Sequence, residues 1–371
     1  MRVTRAVQVV KDALAEAAFA LGVDLPTRAP VNLIAEDAEW AILWVARYVC
    51  RGANELCPGV ASLSSRPHLL RKRVLHFGTR DLWLAKKERV HVSNKIVVTS
   101  LYGNIKDSPQ FRASLESFVA SLASVSAVVT STRIMEQHLI ELGVPRERLH
   151  IIPLGVDTAL FVPPTATQRA AARDAFGIPK DRFCIGSFQK DGEGWGEGLA
   201  PKWIKGPDVF VEAVSCLGRD LPVFVLLTGP ARGYVKARLD AVGIPYSHRV
   251  LEEYTQLVSA YHALDMYLVS SRVEGGPLAL MESMAGGIPV VATAVGMVPE
   301  ALRHGHNGMM APSEDWQALA EHAHRVLTDE GLRARITRQA RSDVAQYDWM
   351  VLARRYYEEI YRPLLRQFGR R

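Results

Sequence analysis

At 371 residues and 48% hydrophobic content, the chain is too long for one ordinary core and the right length for two domains of usual size. Its apolar runs, such as Val223–Gly229 and Ile288–Thr293, fall short of the roughly 20 residues a membrane span needs, and Met1 opens a charged amphipathic segment instead of a signal peptide, so a cytoplasmic protein is expected. A formal charge of +6 attracts anions only mildly, and the four cysteines show no C-x-x-C pair or nearby histidines, so they read as reduced and packed with no metal-ligand pattern.

In chain order, residues 4–21 place apolar side chains at the spacing of an amphipathic helix. A buried strand is expected over Val31–Asp37, followed by a helix over Ala38–Leu56. Further short strands are predicted at Arg73–Gly78, Lys95–Gly103, Ser126–Thr132 and Arg148–Asp157, with a helix through Ile134–Gly143. Composition then turns to Pro, Thr, Ala and Gln over Pro163–Pro179, where a linker is placed. Alternation resumes with strands at Arg182–Phe188, Val223–Thr228, Ser247–Leu251, Met266–Ser270 and Pro289–Thr293. Strands alternating with helices imply parallel pairing, so the fold class is α/β, with two Rossmann-like doubly wound sheets facing across a cleft. The C-terminal stretch Trp349–Arg371 reads as helical with a break before Pro363.

Charge is unevenly placed: Arg66–Val97 carries nine Lys/Arg against Asp81 and Glu88, a local +7. These cations interleave with Leu69, Leu70, Trp83 and Leu84. The stretch suits a membrane surface with anionic headgroups, an anionic acceptor, or simply a solvated face. No nucleic-acid motif accompanies it, so no nucleic-acid partner is expected.

The segment "VEGGPLALMESMAGGIPVVATAVGMVPEAL", Val273–Leu302, carries the most chemistry. A strand ends just before Glu274, and Gly275, Gly276 and Pro277 lead into a helix whose first amides, at Leu278 and Ala279, favour a phosphate. Glu282 lies eight positions after Glu274, where its carboxylate can accept ribose hydroxyls. Either glutamate alone reads as an ordinary solvated carboxylate. The order of strand, glutamate, glycines and helix favours the functional reading.

That order resembles the E-x7-E signature of the retaining glycosyltransferases of family four, which have the GT-B fold. "HIIPLGVDTALFVPP" is similar to the segment joining the two domains in that family, and "GHNGMMAP" to its C-terminal continuation. The resemblance implies a nucleoside-diphosphate sugar held by the second domain, with Glu282 on the ribose and Glu274 near the transferred sugar. It also implies two basic residues on the diphosphate. Lys205, followed by Gly206, fits one. Lys190 is assigned to the other, where the usual arginine is replaced by Gln189-Lys190 and a glycine-rich, tryptophan-bearing insertion follows. Gly186 is placed with the donor-binding residues on the same basis, together with Gly275, Gly276, Pro277 and Leu278. The chain has no D-x-D triplet, so no metal and no cofactor are expected, the lysines and helix amides taking that role. Retention is implied by the resemblance, and with no nucleophile evident on the opposite face, substitution on the front face within an ion pair is the working mechanism.

The resemblance weakens in the first half, where relatives begin with a strand and glycine-rich loop and this chain begins with a helix. Tyr102 stands where many relatives have histidine, and His76, at the end of a neighbouring strand, is the alternative acid or base or else a packed residue. The expected boundaries are 1–160 for an acceptor-side domain, 161–352 for the donor domain and 353–371 for a helix returning to the first. Tyr356, Tyr357 and Tyr361 are expected to pack that helix. A sugar transferase with an unidentified acceptor leads, over a nucleotide-sugar epimerase or hydrolase and over a donor-binding subunit without catalysis.

Overall fold

The computed structural model describes residues 29–35, 41–103 and 109–368, so the helix expected over 4–21 lies outside the described residues. The chain divides into one unit of residues 1–155 with 349–371 and a second of residues 156–348. Thr158 and Asp348, near the two ends of the second unit, are tied by a hydroxyl-to-carboxylate bond of 2.5 Å.

The first unit holds β1 (Val31–Ile34), β2 (Ala61–Ser64), β3 (Val74–Phe77), β4 (Lys95–Thr99), β5 (Ala127–Thr130) and β6 (Leu149–Ile151), all parallel, in the order β2-β1-β3-β4-β5-β6. The strand order reverses between β1 and β3, and ligands in such sheets bind outside the carboxyl ends of strands at that point. The second unit holds β7 (Phe183–Phe188), β8 (Val223–Thr228), β9 (Tyr246–Arg249), β10 (Met266–Val269), β11 (Val290–Thr293) and β12 (Met309–Ala311), ordered β12-β11-β10-β7-β8-β9. Here the reversal falls between β7 and β10.

Helices cover both faces of each sheet, which is why central strands read as unbroken apolar runs. In the first unit Leu75, Phe77 and Val98 pack with Leu115, Phe118 and Leu139. In the second, Ile185, Val225 and Leu268 pack with Phe210, Val214 and Leu319. Strands β2 and β12 escaped the sequence reading because both lie at sheet edges, one polar and half-buried and the other only three residues long.

Two expectations are corrected. The segment Pro163–Pro179 is not a linker: it lies inside the second unit and forms the helix Ala166–Ala175, started by a capping box in which the Thr165 side chain and Gln168 satisfy each other's backbone amides. Nor does the chain break before Pro363. It passes through a π-helical stretch, Tyr356–Tyr361, into the helix Arg362–Arg366. A wider turn tolerates the missing proline N–H and relieves its ring from the preceding carbonyls.

The C-terminal segment packs on the helix Ala41–Leu56, with Trp349 stacked on Tyr48 at 5.6 Å. A Cβ on Gly52 would fall 2.3 Å from the Ala353 Cβ, so this crossing requires a small residue on each side. Tyr356 and Tyr361 are buried there, while Tyr357 is half-exposed. Among the described residues no helix is long and apolar enough to cross a membrane.

Candidate active site

The second unit gathers ionisable groups where β7 and β10 end. Lys205 lies on the short turn Trp203–Lys205, and its Nζ contacts Glu274 Oε1 at 2.5 Å. Ser271 Oγ donates to the same oxygen at 2.9 Å. Gln189, just past β7, donates through Nε2 to the Lys205 carbonyl at 3.2 Å. The lysine and the glutamate, 69 positions apart in the sequence, therefore meet because their strands are neighbours.

Tight backbone geometry fixes this meeting. Gly206 has φ +58, and a Cβ there would stand 1.9 Å from the Ser270 carbonyl oxygen, so only glycine lets the Lys205 turn lie against the end of β10. Arg272 pins the same turn: it donates to the Trp203 carbonyl at 2.9 Å and to both oxygens of Asp208 at 2.8 and 2.7 Å. Gly296, at φ +52, leaves room for the Glu274 and Gly275 carbonyls, which a Cβ would meet at 2.5 and 2.8 Å.

Gly275, Gly276 and Pro277 lead into the helix Leu278–Gly286, with Pro277 at the N-cap position instead of inside the first turn. The helix amides begin at Leu278, as an anion site at a helix start requires. Glu282 lies on this helix and is buried. Its two carboxylate oxygens accept the hydroxyls of Tyr254 and, at 2.6 Å, Tyr261. Burial pushes the Glu282 carboxyl above the usual carboxylate range, and the two phenol donors pull it back. Phe161 and Phe188 pack edge-on around Tyr261 at 5.7 and 4.9 Å.

Lys190 holds its ammonium 3.9 Å from the centre of the Trp195 ring. Lys202, on the return of the same insertion, was not singled out from the sequence. Its ammonium is depressed below the ordinary lysine range, first by burial and then by the neighbouring charges of Lys205 and Lys190, so the three lysines share one field. Beneath them, Arg232 and Asp191 form a fully buried pair at 2.9 Å, and Arg232 also donates to the Ser187 and Thr228 carbonyls at 2.6 and 2.9 Å. Burial raises the Asp191 carboxyl in spite of the guanidinium beside it.

Gly186 does not belong to this site. It lies within β7 paired with Tyr267, and a Cβ there would stand 2.4 Å from Leu264 Cδ1, so its missing side chain admits a core leucine.

His76 is also reassigned. It is buried, with Nδ1 bonded to the Tyr361 hydroxyl at 2.6 Å and Nε2 to Thr99 Oγ1 at 2.8 Å. Desolvation pushes its pKa down to about 3, so it joins β3, β4 and the C-terminal segment as a neutral packed ring. Tyr102 follows the carboxyl end of β4 and is 40% exposed. Its carbonyl accepts Arg80 Nη1 at 2.6 Å, and Arg80, buried and also bonded to Ser100 and Ser114, fixes the loop. The expected basic stretch thus loses Arg80 to the interior. Trp83 and Leu84, on the helix Arg80–Lys86, also pack into the core.

Among the described residues no group of three or more His, Cys, Asp or Glu is placed to hold a metal ion.

Two doubly wound parallel sheets in succession, the second ordered 3-2-1-4-5-6 with a lysine set at its switch point, make the GT-B fold. Residues 199–343 match the family described as Glycosyl transferases group 1. A D-inositol 3-phosphate glycosyltransferase of Xylanimonas cellulosilytica is 32% identical over 62% of this chain and 55% of its own. The enzymes of the same name from Corynebacterium urealyticum (28%, covering 77% of this chain and 68% of its own) and Mycolicibacterium smegmatis (29%, 73% and 60%) are also similar. The chain spans little more than half the length of the first of these relatives. By fold it is similar to Anabaena HepE in complex with UDP and glucose, with TM-score 0.70 and 16% identity over 90% of this chain and 99% of that one. It is similar too to sucrose-phosphate synthase from Thermosynechococcus elongatus, with TM-score 0.75 and 18% identity over 92% and 100%.

Proposed function

We propose that this chain transfers a sugar from a nucleoside-diphosphate sugar to an acceptor, with retention and with lysines in place of a metal ion. The meeting of Lys205 and Glu274 beside the Leu278–Gly286 helix start carries this reading. A diphosphate arriving there competes with Glu274 for Lys205. The carboxylate is then released toward the sugar, while Lys205, Lys190, Lys202 and the Leu278 and Ala279 amides meet the charge that grows as the sugar–phosphate bond breaks. Such stabilisation of the leaving group suits front-face substitution within an ion pair. Glu282 takes the ribose hydroxyls in this scheme, the Tyr254 hydroxyl standing where one of them binds. The UDP in the HepE complex, on a protein of this fold, favours a uridine nucleotide as the first donor to try.

For partners, we infer a cytoplasmic enzyme that touches an anionic membrane face. Leu69 is 62% and Val92 96% exposed, on the two loops that lead into β3 and β4. Those loops are laced by Lys72 N–H to Ser93 Oγ at 3.1 Å and Asn94 Nδ2 to the Leu70 carbonyl at 2.9 Å, and they expose Arg66, Arg71, Lys72 and Arg89. They lie at the amino ends of the strands, away from the end where ligands bind, which favours a surface contact over an acceptor pocket.

The test is a thermal-shift panel of uridine, guanosine and adenosine diphosphates and their sugar forms. A ligand that binds only the folded state raises the melting temperature with occupancy. A shift selective for one base supports the donor site, and turnover of that donor sugar supports transfer. No shift with any nucleotide overturns the reading.

A further inference from the structure

The insertion after β7 is divided into a tightly packed base and an exposed tip. At the base, a Cβ on either Gly192 or Gly198 would fall 2.4 Å from the Ala231 carbonyl oxygen, and Ala231 itself has φ +57, outside the region L-residues prefer. The Glu197 and Gly198 carbonyls accept the Gly233 and Tyr234 amides at 2.6 and 2.9 Å, so the insertion covers the start of the helix Gly233–Ala241. The tip is the opposite: a Cβ on Gly194 or Gly196 would meet nothing within 4 Å. Between these two open glycines sits Trp195, 66% exposed, with the Lys190 ammonium over its ring.

An indole left in water between two permissive residues gains little burial. Its ring face meets the Lys190 ammonium in a cation–π contact. The Lys202 amide donates to the Asp191 carbonyl at 2.7 Å, which brings its ammonium near enough to repel that of Lys190, and without a counterweight the flexible Lys190 stem carries the charge outward.

We propose that Trp195 is a positioning residue that holds Lys190 beside Lys202 and Lys205, making the insertion a clamp for the diphosphate of the donor. This rests on the donor-site reading above and adds to it a residue that touches neither sugar nor base. Lys190 stays on the face of the ring while its ammonium meets phosphate, so the benefit falls on the diphosphate alone.

Calorimetric titration of the full chain with UDP, GDP, uridine and guanosine tests this in the wild type, Trp195→Leu and Trp195→Phe. The expected result is a roughly two- to fivefold loss of diphosphate affinity in Trp195→Leu, unchanged nucleoside affinity, and partial recovery in Trp195→Phe. Tryptophan emission should also change on UDP addition in the wild type, with that change lost in Trp195→Phe. Diphosphate affinity in Trp195→Leu equal to wild type overturns the positioning role while leaving the donor site intact. Failure of the wild type to bind either diphosphate removes the donor site itself, a separate and recognisable outcome. Equal losses for nucleoside and diphosphate would make Trp195 a structural residue and also overturn the proposal.

Discussion

The two units are built on parallel six-stranded sheets and use the polar groups at their strand ends in opposite ways. In the first, His76, Thr99, Arg80 and Ser100 are buried and bonded among themselves or to the C-terminal segment. In the second, Lys190, Lys202, Lys205 and Glu274 remain partly open to solvent, three lysines against the carboxylates of Glu274 and Glu193. Polar groups that saturate one another stabilise and specify a fold; an excess of one charge, left partly hydrated, is available to a ligand of the other sign. Polar groups at strand ends are thus closed into the fold in one sheet and left partly open to solvent in the other.

The sharpest way to break this contrast is at the one buried ion pair under the lysines. Asp191→Ala leaves the Arg232 guanidinium uncompensated in the interior, and a loss of about 3–5 kcal/mol is expected in chemical denaturation. A loss below about 1 kcal/mol would show that the carbonyls of Ser187 and Thr228 suffice for Arg232. Lys205→Ala comes next: turnover should fall about 10²- to 10³-fold with little change in melting temperature, since the lost group acts on developing charge. Parallel losses of activity and melting temperature would place Lys205 with the structural residues of the other sheet.

His76 tests the first unit. Its folded pKa of about 3 lies below the unfolded value of 6.5, so from pH 6.5 down to about 3 the unfolded chain binds a proton that the folded chain refuses. Stability contributed by the neutral ring is present above pH 6.5 and is lost on acidification, with a slope reaching about 1.4 kcal/mol per pH unit. His76→Gln should flatten this acid limb in pH-dependent denaturation and leave turnover within a few-fold. A collapse of turnover with the acid limb unchanged would restore a catalytic role. The smallest effect is expected at the surface loops: Leu69→Ser with Val92→Ser should weaken retention on phosphatidylserine vesicles roughly tenfold. Equal retention on neutral and anionic vesicles would remove the membrane contact.

Much of this architecture was legible in the sequence. Val223–Thr228 is a strand over the same residues expected from its apolar run, because a central parallel strand is buried on both faces and can carry little else. The helix after Glu274 was legible because Gly275, Gly276 and Pro277 stand together just before its first residue, Leu278. The Pro163–Pro179 segment misled because a composition of Pro, Thr, Ala and Gln suits a linker, whereas four residues, Thr165 to Gln168, were enough to start a helix. Gly186 misled in the same manner, since glycine marks close approach without saying whether a ligand or Leu264 does the approaching.

The sequence by itself therefore determined the local structure: periodicity and turn chemistry act over a few residues, and they set most of the strands and the start of the helix that follows Glu274. Only the tertiary structure decided what the polar residues do. His76 became a packed ring, Lys202 joined Lys190 and Lys205, and Lys205 reached Glu274 because burial and charge depend on neighbours that lie far along the chain and meet only when the strands take their order.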